Sequence, residues 1–130
     1  MKTIVGMIIV SMLMLVAAPV YSGTAVQVFK CQEDENVTEE QLDAVANAWL
    51  TAARTMPGGE KMELSIFHPV AAQLGEDDFL FVLEVPSMEE WGKFQDAYPD
   101  SVAAKVDVKF GDLADCPDSA LWESIKAKAE

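Results

Sequence analysis

Hydrophobic residues recur along most of the chain with one of two periods. From Ala25 to Cys31, Val26, Val28 and Lys30 alternate with Gln27, Phe29 and Cys31, the two-residue period of a strand. An acidic turn, Gln32 to Val37, precedes T-E-E-Q beginning at Thr38, a capping-box signature in which the first side chain and the fourth exchange hydrogen bonds with each other's backbone. Leu42, Val45, Ala46, Trp49, Leu50 and Ala53 then follow at helical spacing. The helix is expected to stop at Met56-Pro57-Gly58-Gly59. From Lys61 to His68 the apolar Met62, Leu64 and Ile66 alternate with Glu63 and Ser65, and Pro69 favours extended geometry in His68. After the turn Gly75-Glu76-Asp77-Asp78, the run Phe79 to Val85 is apolar on both sides of a strand except at Glu84, so both its faces need a covering layer. Ser87 opens S-M-E-E, a second capping signature, and Met88, Trp91, Phe94 and Tyr98 mark a second helix ended by Pro99. Ala104 to Phe110 alternates Val106, Val108 and Phe110 with Lys105, Asp107 and Lys109, which predicts a last strand with one wet face. Pro117 leads into Ser119 to Lys128, where Leu121, Trp122 and Ile125 predict a C-terminal helix.

Strand, helix, strand, strand, helix, strand is the ferredoxin-like βαββαβ order. The fold class expected is therefore α+β: an antiparallel sheet with two helices on one face, followed by a C-terminal helix. The other face of such a sheet is bare, yet the third strand is apolar on both sides. A second copy of the chain supplies the missing layer in a dimeric α/β barrel, the arrangement expected here. The alternative is that the tail helix folds across the sheet within one chain.

The N-terminal segment has a different composition. Lys2 is followed by an apolar run, Ile4 to Val16, and a small-residue stretch, Ala17 to Gly23, broken by Pro19. That is the layout of a cleavable signal peptide. Cleavage after Ser22 divides the chain into a signal peptide, 1–22, and a single domain, 23–130, with a periplasmic or secreted location. A retained anchor would want about 20 apolar residues, so no stable membrane insertion is expected after cleavage. The chain carries a formal charge of −13, which loss of Lys2 makes −14. Nucleic acids and anionic lipids are held by clustered Lys and Arg, and this balance excludes them as partners. Export places Cys31 and Cys116 in an oxidising compartment, where they are expected to form a structural disulfide. They are too far apart in sequence for a C-x-x-C redox pair.

Across about residues 25 to 110, element order and apolar pattern resemble the dimeric α/β-barrel superfamily. The strings N-A-W-L-T-A-A-R at 47–54, P-S-M-E-E-W-G-K-F at 86–94, D-A-Y-P-D-S at 96–101 and C-P-D-S-A-L-W-E at 116–123 resemble a group of small exported bacterial proteins of unassigned function. The second resemblance implies export and no particular chemistry. The wider superfamily includes cofactor-free and heme-degrading oxygenases, stress-related barrels and ligand-binding proteins, so the fold alone leaves function open.

His68 is the sole histidine and the candidate catalytic base, against a plain reading as a strand-end histidine bonded to backbone or water. A heme-degrading barrel would carry a histidine on the second helix, and Met88 to Tyr98 has none. Trp49, Trp91, Phe94 and Tyr98 could line a pocket between helices and sheet, although aromatic stripes at this spacing are also what a core requires. Trp91 and Tyr98, with Asn47 or Arg54 as polar handle, are the candidate ligand-binding residues. Asp34 to Glu40 begins like a calcium loop but has Glu39 where glycine is needed and Val45 where glutamate is needed. No metal site and no cofactor are expected. Asn36-Val37-Thr38 matches a glycosylation acceptor, but Thr38 is already explained as a cap. Gly58-Gly59-Glu60-Lys61 is not a phosphate loop, and no G-x-S-x-G is present. The expected function is binding of a small, partly apolar ligand or a protein partner, by a homodimer. Two alternatives stand beside it: a cofactor-independent oxygenase or isomerase using His68 beside an aromatic pocket, and a structural envelope protein with no enclosed pocket.

Overall fold

In the computed structural model, described here for residues 23–71 and 78–129, the elements run β1 (Thr24–Glu33), α1 (Glu39–Ala53), β2 (Glu63–Phe67), β3 (Asp78–Val85), α2 (Met88–Ala97), α3 (Val102–Gly111) and β4 (Ala114–Ser124). The expected signal peptide, 1–22, and most of the turn before β3 lie outside the described residues. The four strands form one antiparallel sheet in the order β2-β3-β1-β4. This is the ferredoxin-like arrangement: α+β, with the two halves of the βαββαβ chain interleaved in the sheet.

The two helix starts that the sequence marks are built as expected. Thr38 Oγ1 accepts from the Gln41 backbone N–H, and the Gln41 side chain accepts from the Thr38 N–H at 2.9 Å. Ser87 Oγ accepts from the Glu90 N–H at 3.2 Å. Between α1 and β2 the chain turns at Gly58, whose φ of +79° is a left-handed conformation that glycine adopts without strain. A Cβ there would collide with the Glu90 carbonyl of α2. This tight turn brings the end of α1 against the start of α2.

The sequence reading fails in the last third of the chain. The segment expected as a final strand, Ala104 to Phe110, lies within α3. Ser101 caps that helix by accepting from the Ala104 N–H at 3.0 Å. Ala103 and Phe110, buried, and Val106, partly buried, lie at helical spacing on its inner side, while Val102 and Val108 are exposed. The β-branched residues that imitate strand alternation thus sit partly on the solvent side of a helix. The segment expected as a C-terminal helix is largely β4, which pairs with β1 from Thr24↔Ser124 to Glu33↔Ala114. Strand pairing satisfies a continuous row of β1 backbone groups that a tail helix would have left open. The register shifts between Lys30 and Gln32, so that β4 carries an extra residue beside Cys31. Pro117, which has no N–H to donate, stands at this irregularity on an edge strand.

Cys31 and Cys116 form a disulfide across β1 and β4. On the helix-covered face, Ala25, Cys31, Phe79, Phe81, Leu83 and Val85 meet Leu42, Trp49, Met62 and Phe94 in one core. The opposite face presents Val26, Val28, Leu80 and Val82 from the central strands, with Trp122 and Phe67 on the edge strands 61% and 54% exposed. A tail helix across this face is not what the chain builds: the tail is an edge strand of the same sheet.

Candidate functional site

The core is incomplete between the sheet and the helices. A cavity of about 380 Å³ remains there, walled by Phe29 of β1, Phe81 and Leu83 of β3, and Trp49 of α1. Its other walls are Trp91, Phe94 and Gln95 of α2, Tyr98 at the end of that helix, Asp107 and Phe110 of α3, and Cys116 of the disulfide. The volume falls within the range that holds small-molecule ligands, about 300–1,000 Å³.

The rings are fixed by one another. Trp49 packs edge-on against Phe81 and Phe94, with centroids 6.0 Å away in each case. Phe81 meets Phe110 at 5.1 Å and Phe29 at 6.3 Å, both also edge-to-face, the orientation that ring quadrupoles favour. Trp91 and Tyr98 flank Phe94 at 6.1 and 5.5 Å.

Few polar groups line the cavity. Trp49 Nε1 donates to Tyr98 Oη at 3.3 Å. Burial pushes the Tyr98 phenol up to about 12; the Trp49 hydrogen bond opposes the rise, and the neighbouring Asp107 carboxylate adds to it by its charge and by accepting a hydrogen bond. The phenol is therefore neutral at ordinary pH, its oxygen accepting from the Trp49 indole with the Asp107 carboxylate nearby. Gln95 is also among the polar groups of the wall.

Of the residues singled out from sequence, Trp91 and Tyr98 line this cavity, together with Trp49 and Phe94. The other three lie elsewhere. Arg54 donates from Nε to the Met62 carbonyl at 2.9 Å, tying the end of α1 to the start of β2. Asn47 and His68 share a shallow, open hollow with Glu39, Asp43, Leu64 and Ile66, and the His68 ring lies 6.1 Å from that of Phe79. Asp107, Gln95, Phe110, Phe29 and Phe81 are cavity residues that sequence reasoning did not select. Asp107 and Phe110 were hidden by the misreading of α3; the spacing of Ala103, Val106, Asp107 and Phe110 is the signal that places them on one helical face. Among the described residues no group of three or more His, Cys, Asp and Glu could hold a metal ion.

No protein-family model matches the chain, and no curated protein matches it. Solved structures do resemble it. A conserved protein of unknown function from Bacteroides thetaiotaomicron, described as a possible oxidoreductase, superimposes with a TM-score of 0.54 at 11% identity, over 79% of this chain and 99% of its own. A cofactor-independent oxygenase from Streptomyces nogalater superimposes with a TM-score of 0.55 at 7% identity, over 83% of this chain and 99% of its own. At such identities the likeness establishes a shared fold and carries no residue roles.

Proposed function

We propose that this chain is exported and, as a homodimer, binds a small, partly apolar ligand in the aromatic cavity without altering it. The observation that carries the reading is the cavity itself: a space of about 380 Å³ with seven aromatic side chains in its wall and few polar groups, Gln95, the Tyr98 phenol and Asp107 among them. A domain that needed only durability would close such a recess, because packing its rings against one another would bury more apolar surface. This weighs against a purely structural envelope role. Dimerisation rests on the apolar outer face of the sheet, where Trp122 and Phe67 lie open. Export rests on the N-terminal pattern and is compatible with the disulfide.

The test is native mass spectrometry and light scattering of protein purified from the oxidising compartment of its host. One small molecule per chain and twice the chain mass are expected. Gln95→Trp, which inserts a bulky ring at the edge of the cavity, should abolish the adduct; an adduct that persists in this variant places the ligand elsewhere.

The second reading, a cofactor-independent oxygenase, is favoured by the fold shared with the Streptomyces nogalater oxygenase. His68 does not line the cavity, so a base for such chemistry would come from the Asp107 side. On this reading turnover is lost in Asp107→Asn and kept in His68→Ala. Loss in His68→Ala with retention in Asp107→Asn would move the chemistry to the open hollow.

A further inference from the structure

Taking the cavity as the binding site proposed above, we infer that its ligand is a lipophilic organic cation, an alkylated ammonium carrying an apolar or aromatic group. No lysine, arginine or histidine stands in its wall, and the single charged side chain there is the Asp107 carboxylate. An anionic ligand would meet that carboxylate without a counter-charge. Aromatic rings attract cations through the negative potential over their faces, most strongly where water is excluded. Trp49, Trp91 and Tyr98 are the ring types that do this best and all three line the cavity.

The phenol adds direction. Its oxygen already accepts from Trp49, and its proton interacts with Asp107. Tyr98 thus stays neutral beside the carboxylate, which has lone pairs to spare for a second positive partner. The chain as a whole carries a formal charge of −13, which raises the local concentration of cations and speeds their encounter. A compact, strongly hydrated ammonium would lose too much solvation on entering a wall composed mainly of rings. Alkylation spreads the charge and weakens its hydration, so the cation that fits is an alkylated one.

The test compares molecules of one shape and different charge. The disulfide-bonded protein is titrated calorimetrically with 4-hydroxyphenyltrimethylammonium and with 4-tert-butylphenol, in which a carbon replaces the charged nitrogen. The cation is expected to bind about tenfold tighter or more. Asp107→Asn, and Trp91→Leu, which removes a ring while keeping an apolar side chain, should each narrow the ratio about threefold or more. Equal or tighter binding of the phenol overturns the inference while leaving the cavity as a site for neutral ligands. A cation preference that survives both substitutions is general attraction to an acidic surface and overturns it too. No binding of either probe overturns both this inference and the binding-site reading.

Discussion

Tyr98 is where side-chain chemistry and cavity shape are most closely joined. Its phenol is held up to about 12 against an ordinary value of 10.0, first by burial. A group that resists ionisation in the folded state makes folding stability fall with pH once the unfolded chain begins to ionise. Stability is therefore expected to be insensitive to Tyr98 below pH 10 and to decline from there towards 12. Tyr98→Phe should remove that part of the decline, as measured by urea unfolding across this range. It should also cost about 1 kcal/mol at neutral pH, because Trp49 Nε1 loses its acceptor. The ionisation can be followed directly: Tyr21 and Tyr98 are the two tyrosines, so a chain cut after Ser22 reports Tyr98 alone in its tyrosinate absorbance. A midpoint near 10 would mean that the phenol is not shielded. At this scale the sequence was partly legible. Trp49, Trp91, Phe94 and Tyr98 were recognisable as one set because helical spacing puts them on the inner sides of two helices. It could not show that packing stops short of filling the space among them.

Among the elements, β1 to α2 follow from local signals: strand alternation, two capped helix starts and a proline-glycine stop. The failures in α3 and β4 have a common physical cause. Valine at positions 102, 106 and 108 has strand propensity, but Ser101 caps a helix and the inward positions Ala103, Val106 and Phe110 have helical spacing. Packing onto α1 and β4 overrides the propensity. The two errors offset each other, since one moved the last strand too early and the other filled its place with a helix, so the ferredoxin-like order emerged with its final strand misplaced. The helical assignment has a sharp check. Val108 is 71% exposed, and Val108→Lys should change unfolding free energy by no more than about 0.5 kcal/mol. Val106→Lys, on the partly buried side, should cost several times that amount. A strand with one wet face would have put both valines on the same side and penalised the two substitutions alike. Ser101→Ala should cost about 1 kcal/mol through loss of the cap.

For the whole molecule, the disulfide joins the central strand β1 to the edge strand β4 across 85 positions of sequence. Closing so long a loop stabilises by at most roughly 4–5 kcal/mol in the chain-entropy model. Reduction should therefore lower the denaturation midpoint strongly, and because Cys116 lines the cavity it should also weaken ligand binding. Intact affinity after reduction would separate the crosslink from the site. The outer face of the sheet poses the separate question of assembly, and Trp122→Glu should convert a dimer to a monomer in light scattering while leaving the cavity on the other side of the sheet in place. This two-sided division was only half visible in the sequence: β3 showed that both faces need cover, but the tail that might have covered the outer one is itself part of the sheet.

The three tryptophans make the two sides separately observable, with Trp49 and Trp91 in the cavity wall and Trp122 on the outer face. Their indole N–H signals in a nitrogen-15 correlation spectrum, followed as 4-hydroxyphenyltrimethylammonium is added, give the decisive reading. Saturable shifts of the Trp49 and Trp91 signals, with Trp122 unmoved, are expected of a ligand that enters the cavity; a titration in which Trp122 alone responds, or in which none of the three does, would contradict it.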